Sequence, residues 1–589
     1  MKPFFAQLAF FLLSGSGLAA QPVVYANQVG YDTDYPKIAV VGTDHQLSPN
    51  AAFNIVDAEH NEVAFTGSLG AAERVDEWTP GRQYYRADFS TFDKPGRYIL
   101  NITIDGKIYS SYPFEIEKDA LAKMTISSII HYYNKQRANT PAELAADAHM
   151  HLIGGGDKTV DVHGGWCDAS GDVSKYFSHL AYANFMSPQQ TPLVVWSMES
   201  ASEGIPKLLE KWNLKDSLDN EALYGADYIM RSLSKDNYFY MTVFSYFNKD
   251  PNARRIVGLH ANSVTTDEYQ CAFREGGGMA IAALARISRW KKYGEFTSSQ
   301  YLDGAKRAFA NLLKHNLEYD DDHKENIIDD YCALMAATEL WIATGEPLYR
   351  DEARKRAGNL EKRMTPEGYF ISNDGRRPYW HASDAGLPVV ALSRYLAREG
   401  DAALRSAALG TIKKALVYNI SVTNEVSNPF GYARQSFLYK GVVKNGFFIP
   451  HDNETGWWWQ GEDARLGSLA TAALVGGKLA YPTGANREKL AGFASQQLGW
   501  ILGCNPYSMC FMYGFGKKNM PYMHSNFGHG SERGGISNGI TGKEGTGDGS
   551  GIDFKEEDKG NEWRWTEQWI PHAAWFLQAI TAMAEEKGK

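Results

Sequence analysis

Two short stretches of the chain carry carboxylates in settings suited to acid–base chemistry. In Gly164-Gly165-Trp166-Cys167-Asp168-Ala169-Ser170-Gly171-Asp172, two aspartates stand four residues apart in a glycine-rich turn leading into Val173-Ser174-Lys175-Tyr176. Glycine lets a backbone pass close to a ligand, and small side chains leave room for a water between the carboxylates. The same pattern also describes a helix N-cap, with Asp172 satisfying orphan amides. The second stretch is Trp563-Arg564-Trp565-Thr566-Glu567-Gln568-Trp569-Ile570-Pro571-His572, where Glu567 lies among aromatic residues just before an apolar helix. Such surroundings disfavour the charged form of a carboxyl and raise its pKa, as a general acid requires. Glu562 is the rival, but it follows Lys559 and Asn561 in a polar run. A capping or ion-paired carboxylate is the plainer alternative for Glu567.

Two further stretches have the composition of a binding surface. Gly503-Cys504-Asn505-Pro506, continuing through Gly514-Phe515-Gly516 to Pro521-Tyr522-Met523-His524-Ser525-Asn526, is a glycine-rich, aromatic loop whose polar side chains suit a hydroxyl-bearing ligand. A lone histidine in such a loop is as readily structural. Asn453-Glu454-Thr455-Gly456-Trp457-Trp458-Trp459-Gln460-Gly461-Glu462 offers acidic and aromatic contacts, or else a buried helix start.

These residues need elements to hold them. From Pro22 to Lys118 short β-branched runs such as Lys37–Val41 and Tyr98–Ile102 alternate with turns such as Lys94-Pro95-Gly96-Arg97, which predicts a β-sandwich. Beyond Lys118 the apolar spacing becomes helical, as in Asn220–Leu233, Tyr331–Ala343, Glu488–Leu502 and His572–Ala584. Many helices without a repeat of fixed length favour a closed helical barrel over a solenoid. The short charged linker near Glu115 to Ala122 implies that the two parts pack together.

Composition narrows the partners. The 589 residues are 44% hydrophobic and 22% charged, with a net charge of -9 and no long basic run, which argues against nucleic acid. Aromatic residues reach 13%, enough to fill a core and also to stack on the apolar faces of pyranose rings. Lys2, the apolar run Phe4–Leu13 and the small residues to Ala20 read as an export leader over 1–20, too short to span a bilayer. No later stretch predicts membrane insertion. The five cysteines form no Cys-x-x-Cys pair, so they point to buried apolar positions rather than a metal site or a disulfide framework. No metal and no cofactor is expected.

The order of these segments resembles glycoside hydrolase family 9, including its bacterial members with an N-terminal immunoglobulin-like domain. Asn27-Gln28-Val29-Gly30-Tyr31 is similar to the opening of that domain, Gly164–Asp172 to the family's GGxxDAGD signature, and Gly503–Pro506 to its GxNP signature. Thr566-Glu567 before Trp569-Ile570-Pro571-His572 resembles its C-terminal acid segment. The resemblance implies a mainly α protein: an immunoglobulin-like β-sandwich at 22–118, then an (α/α)6 barrel catalytic domain at 119–589. It also implies hydrolysis of β-linked oligosaccharides with inversion, with Asp172 as base, Asp168 as the second carboxylate holding the water, and Glu567 as acid.

Two departures from the family pattern matter. Ser170 is an extra residue between the aspartates, which leaves the choice of base between Asp168 and Asp172 open. The family's cellulases usually read Pro-His-His-Arg where this chain has Tyr522-Met523-His524-Ser525-Asn526. A pocket that lacks that arginine suits a positively charged amino sugar. The chain thus looks like the subgroup of bacterial exo-β-D-glucosaminidases, with His524, Asn526, Trp457, Trp458 and Glu462 as candidate substrate contacts. No carbohydrate-binding module follows the barrel segment, so short soluble oligosaccharides such as those of chitosan are the expected substrates. The alternatives are an endoglucanase or β-glucosidase acting on cellooligosaccharides, a polysaccharide lyase on a similar barrel, and a non-catalytic sugar-binding protein.

Overall fold

The computed structural model describes residues 21–584, except 179–185, 247, 249, 261–262, 374, 454–455, 458–459, 525–528, 548 and 557–562. The export leader expected at 1–20 lies outside the described residues, as do Asn526, Trp458, Glu562 and the side chain of Trp457.

Alternation of side chains builds the first part of the chain. Its strands are β1 (Val23–Tyr25), β2 (Gly30–Asp32), β3 (Ile38–Thr43), β4 (Ala52–Asp57), β5 (Val63–Glu73), β6 (Gln83–Asp88), β7 (Gly96–Ile104), β8 (Lys107–Ser110) and β9 (Phe114–Glu117). They follow the order β1-β3-β6-β5-β4-β7-β9-β2, with β8 on β7, and only β2 and β9 pair in parallel. The long strand β5 pairs with β4 through its first half and with β6 through its second, so it serves both layers of the sandwich. Ala39, Val41, Tyr85 and Ala87 enter the sandwich core with Phe53, Ile55 and Leu100. Val40 and Tyr84, one residue out of step, face the other way and join the core of the helical part. The sheet β1-β3-β6 is therefore buried on both faces, and the sandwich cannot swing away.

Among the described residues, twelve helices carry the barrel: α1 (Ala120–Gln136), α2 (Thr191–Gly204), α3 (Lys215–Arg231), α4 (Gly278–Ile287), α5 (Ser298–Tyr319), α6 (Ile327–Thr344), α7 (Pro347–Arg363), α8 (Leu387–Leu396), α9 (Ala402–Thr423), α10 (Asp463–Ala480), α11 (Ala485–Ile501) and α12 (Ile570–Ala584). The even-numbered helices pack in a closed ring, α2 on α4, α6, α8, α10 and α12 in turn, and α12 back on α2. Each odd-numbered helix lies outside this ring against an even-numbered neighbour. That is the (α/α)6 barrel. The sequence shows why each helix takes its place. In α6 every residue from Ile327 to Trp341 is buried, the mark of a helix surrounded on all sides. In α5 burial is confined to Tyr301, Gly304, Ala305, Ala308, Phe309, Leu312 and Asn316, a single stripe at helical spacing. A small antiparallel sheet that the helical spacing did not predict is built from the connections before α2 and between α3 and α4: β10 (Lys175–Tyr176), β11 (Thr242–Phe244), β12 (Arg255–His260) and β13 (Val264–Thr266).

The sandwich is bolted to the barrel by aromatic packing and one glutamine. Trp78 packs on Phe430, Phe447 and Trp500 at ring separations of 6.1, 4.7 and 5.7 Å. Gln28 accepts from the amides of Lys517 and Lys518 at 2.9 and 3.0 Å and donates to the carbonyl of Ser508 at 2.7 Å. Gly503, at φ +115°, packs so closely that an added Cβ would sit 2.5 Å from the Gln28 amide. Asn505 turns its side chain onto the backbone of Trp500, Tyr507 and Met509. The Gly503–Pro506 stretch, read above as part of a ligand-binding loop, is thus a docking platform for the sandwich. Gln28→Ala removes the partner of three backbone groups, one buried and two part-buried, and is expected to lower stability by about 1–3 kcal/mol. A urea unfolding midpoint equal to that of the parent would show that this contact contributes nothing.

Candidate active site

The aspartate turn is shaped by glycines and held from behind. Gly165 lies at φ +74°, and a Cβ there would stand 2.7 Å from the Tyr228 ring. Gly171, at φ +87°, donates its amide to the carbonyl of His529 at 2.7 Å. Asp172 closes the turn through its amide on Ala169 O at 3.1 Å. Its Oδ1 accepts from the Ser174 amide at 2.9 Å and the Ser245 hydroxyl at 3.1 Å. The chain then enters strand β10, so the alternative of a helix N-cap at Asp172 is overturned.

The segment carrying Glu567 is joined directly to this turn, 398 residues away in sequence. Ser170 donates its amide to Gln568 O at 3.0 Å and accepts the Gln568 amide on its hydroxyl at 2.9 Å. Ile570 donates to the carbonyl of Asp168 at 3.1 Å. The extra residue of the aspartate turn therefore has a definite role, because it supplies both bonds to Gln568. Met523 seals the junction from below, its sulfur 3.4 Å from Ser170 Oγ and 4.0 Å from Thr566 Oγ1.

The carboxyl groups gather at the end of the barrel where α2, α10 and α12 begin. Asp168 is buried and accepts from Trp569 Nε1 at 3.1 Å. Burial first, then the charges of Asp172 and Glu567, hold its carboxyl well above the usual carboxylate range. Glu567 is half-buried, and its Oε2 faces Asn538 Nδ2 at 3.4 Å and Gln460 Nε2 at 3.5 Å. Burial lowers the pKa of His572 to about 3, so the ring is neutral. Its Nε2 lies 2.8 Å from Asn538 Oδ1, which turns the Asn538 amide nitrogen toward Glu567. The flanking tryptophans are engaged elsewhere: Trp569 on Asp168, Trp565 on Thr541 at 3.1 Å. A buried carboxyl beside two half-buried ones is an arrangement that can hold a water and move protons at both ends of a bond.

Of the other predicted contacts, the structure removes one and places another. Glu462 is buried, paired with Arg465 at 2.6 Å, and accepts from Tyr432, Gln435 and the Ile449 amide. It belongs to the core at the start of α10, so the expectation of a substrate contact there is corrected. His524 is exposed, 6.5 Å from the half-exposed ring of Tyr522, and next to Met523 beneath the junction. Ser245, Asn538 and Gln460 were not singled out from the sequence. All five cysteines are free and buried.

Behind the turn lies a second polar cluster. Glu143, Cys167 and His529 each present a donor atom within 4.8 Å of the others, a grouping able to hold a metal. Two of the three are already paired, His529 Nε2 with Glu143 Oε1 at 2.7 Å. Burial opposes charge on both residues, but their neighbours outweigh it. The hydrogen bond and charge of His529, with the Thr140 cap, bring Glu143 down to about 2. Cys167 and Glu143 push His529 up to about 11.

A ring of six inner helices with a carboxylate-lined end, preceded by a β-sandwich, is an architecture that suits a glycoside hydrolase, and the family match makes that class definite. Residues 123–552 match the glycosyl hydrolase family 9 model, and residues 19–107 match the cellulase N-terminal ig-like domain; the chain belongs to glycosyl hydrolase family 9. The matched stretch includes the aspartate turn and stops short of Glu567. The chain is 25% identical, over 87% of its length and 86% of the relative's, to the xyloglucan-specific endo-beta-1,4-glucanase BoGH9A of Bacteroides ovatus. Among solved structures, a metagenome-derived family 9 endoglucanase superposes with a TM-score of 0.65 at 17% identity, covering 96% of this chain and 99% of the other. A Bacteroides ovatus family 9 protein gives 0.64 at 19%, with the same coverage. These two likenesses are of fold.

The Glu143–His529 pair generates a pH signature. Glu143 is depressed from 4.5, so its contribution to stability is present above 4.5 and lost as pH falls toward 2. His529 is raised from 6.5, so its contribution is complete below 6.5 and lost as pH rises toward 11. Glu143→Gln is expected to cost about 3–5 kcal/mol near pH 5.5 and to flatten both limbs. Unfolding free energies measured from pH 3 to 9 check this; a variant curve parallel to the parent's would refute the assignment.

Proposed function

We propose that the protein is an inverting exo-β-D-glucosaminidase acting on chitosan oligosaccharides. In this reading Asp172 takes a proton from water, Asp168 helps hold that water, and Glu567 protonates the leaving oxygen from the opposite side. Two of the carboxyls then stand roughly 6.5–9.5 Å apart, leaving room for the water in line with the bond.

One observation carries the choice of substrate. Among the described residues, the charges acting on Asp168 are both negative, those of Asp172 and Glu567, in a buried setting. A 2-ammonium group at the non-reducing sugar supplies the missing cation, and charge-assisted hydrogen bonds are roughly twice as strong as neutral ones. Glucose offers only a hydroxyl in its place. N-acetylglucosamine adds bulk and removes the charge. The Tyr522-Met523-His524 segment, without the arginine usual in the family's cellulases, agrees with a pocket that receives a cation. The second reading is an endo-β-1,4-glucanase, favoured by the activity in the name of the Bacteroides ovatus relative.

Glucosamine dimer is expected to be cleaved about 10- to 100-fold faster than cellobiose at equal concentration, with N,N′-diacetylchitobiose refused. Equal rates on the first two would end the amino-sugar reading and leave the family unaffected. On the better substrate, Glu567→Gln and Asp172→Asn are each expected to lower turnover by roughly 10²–10⁴-fold. Should Asp168→Asn cost more than Asp172→Asn, the two aspartates exchange roles.

A further inference from the structure

Asp168 has a second neighbour that the family signatures do not include. Gln190 is fully buried at the residue before α2, its backbone amide on Phe177 O at 3.0 Å and its carbonyl accepting from Val194 at 2.9 Å. With its amide nitrogen 2.6 Å from Asp168 Oδ1, its amide oxygen lies 3.1 Å from Trp569 Nε1. Trp569 Nε1 is also 3.1 Å from Asp168 Oδ1. Gln190, Trp569 and Asp168 thus form a closed triangle: the Gln190 amide donates to Asp168 Oδ1, and the single indole N–H of Trp569 is shared between that oxygen and the Gln190 amide oxygen. Oδ2 is the oxygen that remains for a water or a substrate group.

The position of Gln190 makes this assignment specific. It occupies the N-cap of α2, where Ser, Thr, Asp or Asn would normally turn back onto the first amides of the helix. Gln190 makes no such cap. Pro192, in the first turn, has no amide to be capped, which lowers the cost of leaving the helix start bare. The side chain is therefore free of the local duty of its position and reaches across to the aspartate turn instead.

We propose that Gln190 is a positioning residue of the catalytic site: its amide donates to Asp168 Oδ1 and so fixes the carboxylate with Oδ2 toward the reacting water or sugar. The proposal rests on Asp168 taking part in the reaction, and it holds for an amino sugar or a glucoside alike. Among the described residues, four ionisable groups face Asp168: Asp172 on its own turn, Glu567 across the junction, Tyr132 of α1 and Tyr176 of β10. The carboxylates raise its pKa and the phenols are neutral across the working range. The two donors on Oδ1 oppose that rise, since a hydrogen bond to the charged form favours it.

Two substitutions test this, assayed on whichever disaccharide the wild-type enzyme cleaves best. Gln190→Leu keeps the volume and removes both the donor and the acceptor. It is expected to lower kcat about 10- to 100-fold and to move the acid limb of the kcat/KM profile up by about 1–2 pH units. Gln190→Glu keeps the shape but adds a titrating donor. Protonated, its carboxylic acid still donates to Asp168; ionised, it repels it. Its activity is therefore expected to approach that of the wild type at the acid end and to collapse as pH rises, reversing the usual acid limb. Loss of activity in both variants with an unchanged pH profile would make Gln190 merely structural, and wild-type profiles in both would remove it from the site. If Gln190→Leu does not fold, the Gln190→Glu profile decides alone. Full activity in Asp168→Asn would instead overturn the role of Asp168 itself.

Discussion

The pairing of Ser170 with Gln568 is the interaction on which the site depends. Neither the aspartate turn nor the segment before α12 has regular structure of its own long enough to fix three carboxyl groups. Each is located by the other through the Ser170–Gln568 bonds and the Ile570 amide on Asp168 O. Backbone hydrogen bonds suit this purpose because they hold geometry within tenths of an ångström, whereas side-chain packing tolerates more drift. The glycines on either side of Asp168 let the turn approach closely enough for those bonds to form.

The electrostatics of the site follow from where the turn is held. Three inner helices, α2, α10 and α12, start at this end of the barrel, and helix N-termini favour nearby negative charge. Those helix starts are too weak to leave a buried carboxyl ionised unaided, and it is the raised pKa of Asp168 that lets three carboxyls share a small volume. The Glu143–His529 pair beneath the turn plays a different part. Both its charges are internal to the pair, so it stiffens the floor of the site without donating a counterion to it.

How much of this was legible in the sequence depended on the range of the forces involved. The helix at Ile327–Thr344 was visible over Tyr331–Ala343, where apolar residues recur at helical spacing, but its first turn was not, because Asp329 and Asp330 interrupt the apolar run. The two aspartates stood out by their glycine-rich turn and Glu567 by its aromatic neighbours, yet each also fitted a cap or an ion pair, and it was the order of the segments that told the readings apart. Ser245, Asn538 and Gln190 were not visible, since a serine, an asparagine or a glutamine reveals nothing of its partner until tertiary contacts are known. Glu462 was misread for a local reason: it follows three tryptophans and a glutamine, which drew attention from Arg465 three residues on. That spacing marks an intrahelical ion pair.

The ring closes where α12 meets α2, and that closure has a temporal meaning. A chain leaving the ribosome acquires the sandwich first, the aspartate turn next and Glu567 only with its final segment. Until then Ser170 lacks its partner, α2 and α10 present apolar faces to water, and Glu567 is absent. Contacts spanning 398 residues are slow to form, because their loop entropy is spent before they return anything. A chain that ends before Glu567 thus has neither a closed core nor a complete set of carboxyls.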